Sequence, residues 1–128
     1  MAVENGILDT TLSVSGNDLS AATDQYLMVK IGATDGDVVP GTAGDATIGV
    51  NQDTGIDNAG ISVRVSGISK FRAGATITQG QALNSNATGN AVPHLGDLNF
   101  AGGIAWEAAA TSDVFTGLII HSGYSSNN

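Results

Sequence analysis

Two histidines, His94 and His121, are the residues best suited to move a proton in this 128-residue chain, and neither sits in a setting that uses one. His94 follows Pro93 at the start of a loop, and His121 ends the last apolar run. Neither has an acid or a serine at the spacing of a nucleophile and its base. Both read as surface or edge histidines. Asp35-Gly36-Asp37 and Asp45 offer hard oxygen atoms, yet the twelve-residue calcium loop that closes on Glu is missing. Asp-Gly is first a hairpin signal. A phosphate cradle needs Gly-x4-Gly-Lys-Ser/Thr leading into a helix, and the two lysines, Lys30 and Lys70, lie in no such segment. With no cysteine, a thiol nucleophile, a Cys-ligated zinc and a disulfide framework are excluded. No catalytic residue, cofactor site or metal site is assigned. A small hydrolase using Asp and His94 is the weakest reading.

Binding chemistry is better represented. Arg64, Lys70 and Arg72 place three of the four basic residues within nine positions. On alternating strands they line one outer face, an island of positive potential on a protein of net charge −8. They are either ordinary solvated side chains or a docking stripe for an acidic surface. Trp106 is the only tryptophan, and aromatics make up only 5% of the chain. A sugar-stacking platform is one use; a core or interface anchor is the commoner one. The candidate interface is therefore Arg64, Lys70, Arg72 and Trp106.

The elements that position these residues follow from composition and pattern. The length suits one domain. Twelve acids against four bases argue against a general nucleic-acid binder, which needs clustered cations. The longest apolar stretch, near residues 114–120, is far too short to cross a bilayer, so no membrane partner is expected. The start, MAVENG, shows no basic and apolar signal pattern, and synthesis in the cytosol is expected. Eighteen glycines separate short apolar runs. Those at 26–31, 46–50, 61–65 and 68–72, at 75–83 and 89–92, and at 113–120 read as strands, several alternating with period two. Helix is nearly absent, one turn near 105–110 being the best candidate. The pattern predicts an all-β fold, a small antiparallel barrel or sandwich.

Three regions are expected: an extended N-terminal arm over 1–25 that packs on a neighbour, a β domain over 26–122, and a flexible tail over 123–128. Within the β domain there is an echo. Val39-Pro40, Ile48-Gly49-Val50 and the Ser-Gly ending at Gly67 are matched by Val92-Pro93, Gly103-Ile104-Ala105 and the Ser-Gly ending at Gly123. Two similar β-units closing one barrel on each other explain it, and so does chance likeness between glycine-rich segments.

The run VRVSGISKFRAGATITQGQALNSNATGNAVP, then GGIAWEAAATSDVFTGLII, resembles a family of small tailed-phage capsid decoration (cement) proteins. The likeness rests on Ala73, Gly74, Ile77 and Gly80, then Gly89, Ala91 and Val92, then Gly103, Ala105, Glu107, Ala108 and Ala109, in that order. It extends over about residues 26–120. Phe115-Thr116-Gly117 departs from the plain Val/Ile alternation of the family's closing strand. The resemblance implies a non-enzymatic protein, without cofactor, on the outer capsid surface of a virion. It implies the major capsid protein as partner and self-association as a homotrimer at local three-fold positions. The alternative is a virion-surface carbohydrate- or receptor-binding module.

Overall fold

Alternation of apolar and polar residues from Gly60 to Arg72 produces one unbroken strand of 13 residues, with Ile61, Val63, Ser69 and Phe71 buried on its inner side. The sequence pattern broke this run at Gly67. The chain instead passes straight through that residue, whose φ of 101° glycine adopts without strain. The computed structural model describes residues 8–14, 18–94 and 100–121. Among them are nine strands: β1 (Leu8–Val14), β2 (Met28–Ile31), β3 (Asp37–Pro40), β4 (Gly49–Asn51), β5 (Gly60–Arg72), β6 (Ala82–Ser85), β7 (Ala91–Pro93), β8 (Gly103–Ala105) and β9 (Val114–Ile119). The all-β class is as expected. The expected turn of helix near 105–110 is absent. The one helical turn described is 3-10, at Ala22–Asp24.

The first five strands close a barrel in the order β1-β3-β2-β4-β5, with β1 parallel to β3 and antiparallel to β5. Val14, Leu27, Val29, Val38, Ile61 and Val63 fill it, each aliphatic side chain contributing about 1.5–3 kcal/mol by leaving water. The arm expected over 1–25 is thereby corrected for its described part. Leu8–Val14 is a barrel strand, and Val14 and Leu19 are core residues. Only Leu12 and Val14 of β1 face inward, which is why so polar a segment still folds onto its own domain. Residues 1–7, 15–17 and 122–128, the expected tail among them, lie outside the described residues.

The second half of β5 starts a second ring, β5-β9-β8-β6-β7, closed more loosely by a parallel bridge between Ala73 and Ala91. Residues 75–81, expected as strand, are irregular apart from the bridge of Ile77 to Ala109. Phe71, Leu83, Phe115 and Ile119 fill this ring. The rings of Phe71 and Phe115 stack at 5.8 Å. Phe71 also explains Gly117: a Cβ there would lie 2.8 Å from its ring. The Phe-Thr-Gly departure leaves the register of β9 intact from Gly67↔Ile119 to Arg72↔Val114.

The two rings repeat one another, residue for residue. Met28↔Val50 and Val29↔Gly49 in the first match Ala82↔Ile104 and Leu83↔Gly103 in the second, 54 residues on. Val50↔Arg64 and Asn51↔Val63 match Ile104↔Leu118 and Ala105↔Gly117 at the same interval. Val29↔Pro40 matches Leu83↔Pro93, one residue closer because the second hairpin turn is shorter. The parallel closure Val14↔Val38 matches Ala73↔Ala91. Left-handed Asn58 and Ser112 repeat too, donating their backbone N–H to Val14 and Ala73 at 2.8 Å. The echo is therefore a repeat of topology and register, with two corrections. Each unit closes its own ring, the two sharing β5. The Ser-Gly match at Gly67 and Gly123 is two residues out of register.

Candidate functional site

Cross-strand partners share a face, so the register of β5, β9 and β8 builds one outward surface. Arg72 pairs with Val114, Lys70 with Thr116, and Ile68 with Leu118, which pairs in turn with Ile104. Trp106 continues β8: its backbone N–H donates to Thr116 O at 2.9 Å, and the Thr116 N–H donates to the Glu107 carboxylate at 2.9 Å. The inward side of these strands holds Phe71, Phe115, Ala105 and Ile119, all buried. The outward side leaves Ile104 37%, Val114 41% and Trp106 57% exposed. It is an apolar sheet face edged by cations.

The four residues singled out from the sequence all lie on or beside this face, but they are not four equal groups. Arg64 donates from Nε to Asp9 Oδ1 at 3.0 Å, tying β5 to β1, and from Nη1 to Ile68 O at 3.0 Å. Arg72 donates to Gln25 O at 3.2 Å and Ala22 O at 3.1 Å, fixing the 3-10 turn. Lys70 is exposed, its ammonium 5.8 Å from the centre of the Tyr26 ring. A shallow groove of about 280 Å³ between the barrels carries Arg64 and Lys70 on its wall; Arg72 faces another depression. The stripe is thus one exposed cation flanked by two structural arginines. Trp106 is not a core anchor.

A family model for phage cement protein matches residues 15–120, across both barrels. The chain belongs to the phage cement protein family. It is a phage capsid-associated structural protein, virion-associated, of a family that is not an enzyme family. The fold is similar to the head fiber gp8.5 N base of bacteriophage phi29, at 18% identity and a TM-score of 0.71, over 91% of this chain and 97% of that one. No curated protein matches.

The remaining polar residues of interest are structural in this cement-family fold. His121 Nε2 lies 2.9 Å from Ile48 O, pinning the end of the second ring to the first. Asp45 forms an ion pair with Lys30 at 2.5 Å. That ammonium, with the Thr42 hydroxyl, holds its carboxyl below the usual range. Among the described residues no three of His, Cys, Asp or Glu gather to hold a metal. Sequence reasoning missed Ile104, Val114 and Leu118 as surface residues. Their signal was present: residues 114–119 are apolar on both parities, as expected of a strand covered on both sides.

Proposed function

We propose that this chain is a capsid decoration protein that binds the outer surface of a phage head as a homotrimer and reinforces contacts between major capsid subunits. It is made in the host cytoplasm and docks onto assembled heads. The observation that carries this reading is the cement-family match across both barrels. Its support in the chain is an exposed apolar sheet face, of the kind that marks a protein–protein contact. Titrating the purified chain against undecorated heads tests it. Saturable binding, with heads that then resist heat or denaturant longer, is the expected result; no binding overturns it.

One observation favours a second reading, a carbohydrate- or receptor-binding module on the virion. Trp106 stands 57% exposed on a sheet face, where an indole can stack on a sugar ring. Quenching of its fluorescence by glycans, with no affinity for heads, would select that reading.

A further inference from the structure

The two barrels carry the same face, and only one of the two is covered. In the first barrel Val50 is 1% exposed because its outer side is part of the second barrel's core. Beside it Gln52 donates to Ser69 Oγ at 3.0 Å, and Arg64 turns to Asp9. One repeat later these three positions are Ile104, Trp106 and Leu118. A valine, an amide and a guanidinium give way to three large apolar side chains, and nothing in the chain covers them. Leaving Ile104 and Trp106 in water forgoes burial that the equivalent positions obtain.

Charge points to what covers them. Residues 1–66 hold nine of the twelve acids against two bases, a net of −7; residues 67–128 hold three acids against two bases, a net of −1. The open face belongs to the nearly neutral half, with Lys70 on it and Arg72 at its edge. The complementary acidic surface is the first barrel of the same sequence, which also exposes Ile31 and Ile56.

We propose that the open β5-β9-β8 face of the second barrel docks the first barrel of a second copy of this chain, continuing between chains the barrel-on-barrel contact made within one. The contact is heterologous, and such contacts close into a ring when the rotation allows. A trimer is then a ring of six barrels. This deepens the trimer of the proposed function by naming its surface, and it is separable from capsid binding.

Sedimentation velocity on the full chain and on I104S/W106Q decides the first part. W106Q installs the residue type of the covered barrel. The wild type should oligomerise at micromolar concentration, and the variant should dissociate at least tenfold more readily with an unchanged far-ultraviolet spectrum. K70E should weaken association as well, which guards against a folding defect in the first variant. A wild type that is monomeric at about 100 µM, or variants that assemble like it, overturn the proposal. So does a variant that still oligomerises but no longer binds heads, since the face then belongs to the capsid. Carbodiimide coupling in an isotopically mixed sample tests the geometry. Lys70 should join acids of the first barrel in another copy; inter-chain links from Lys70 to Glu107 or Asp113 alone show face on face and overturn it. A wild type that oligomerises through this face yet ignores heads leaves the inference standing and removes the capsid reading.

Discussion

Val50 and Ile104 occupy one position in two barrels, 54 residues apart, and differ in what lies over them: Val50 is 1% exposed and Ile104 37%. Each pairs with the corresponding residue on two neighbouring strands, Val50 with Met28 and Arg64, Ile104 with Ala82 and Leu118. Backbone geometry therefore does not distinguish them. Met28 and Val50 project from the first barrel into the second core, so the seam between barrels is part of the hydrophobic interior. Burying each stabilises the fold by about 1.5–3 kcal/mol.

The approach of β4 to β5 makes Gly49 irreplaceable. A Cβ at Gly49 would lie 2.0 Å from the Arg64 carbonyl oxygen, and backbone has little freedom to give way. Gly49→Ala should lower unfolding free energy by about 3 kcal/mol or more. Gly80 has a left-handed φ of 82° and open space around it, so Gly80→Ala should cost only the conformational strain, about 1–2 kcal/mol. Urea midpoints for the two variants check the order.

Asn51 is fully buried and serves three groups. Its Oδ1 accepts from the Leu27 N–H at 2.7 Å, and its Nδ2 donates to Asp24 O at 2.6 Å and Asp53 O at 3.1 Å. Asn51→Ala strands those partners and should cost about 2–3 kcal/mol. Hydrogen exchange should rise first at Leu27, whose amide loses its acceptor.

The Lys30–Asp45 pair sets an acid-dependent contribution. The folded carboxyl titrates below its ordinary value of 3.8, with the Lys30 ammonium the first cause and the Thr42 hydroxyl the second. The stabilisation is complete above the unfolded value and is lost as pH falls through the folded one. The difference in stability between the wild type and Asp45→Asn should be constant from neutral pH to about pH 5 and shrink below about pH 4. Both side chains are about a third exposed, so solvent screening keeps the pair below about 1 kcal/mol. Denaturant titrations across that range measure it.

Arg64, Lys70 and Arg72 should separate on substitution. Arg72→Ala frees two carbonyls of the 3-10 turn and should cost about 1.5–3 kcal/mol, as hydrogen bonds to a charged group do. Arg64→Ala removes the Asp9 pair that helps close the first barrel and should destabilise in the same direction. Lys70→Ala should leave stability within about 0.5 kcal/mol. Thermal melts of the three single variants settle the order, and equal losses would contradict it.

Much of the strand pattern was legible in the residues. Alternation at 61–65 and 68–72 gave β5 in two pieces, and Val39-Pro40 and Val92-Pro93 marked where β3 and β7 stop. The joining of β5 was hidden because glycine usually signals a turn, and here it continues a strand at positive φ. The place of β1 was hidden because its inward residues are few and its partners lie some 50 residues away. Asn51 opens a polar stretch and read as turn, although it is buried through three side-chain hydrogen bonds that no local pattern announces. Of the interaction surface, Arg64, Lys70, Arg72 and Trp106 were visible as unusual residues. Their convergence with Ile104, Val114 and Leu118 depends on pairings between distant strands.

β5 also has a mechanical meaning. It ends one barrel and begins the next with no intervening linker, β1 flanking its first half and β9 its second. A pull that separates the barrels along this strand finds no slack to take up. It loads the two flanking ladders lengthwise, so their hydrogen bonds share the force together and do not open one after another. Tension on one barrel is carried through covalent backbone into the other, and the pair resists stretching as a single stiff strut.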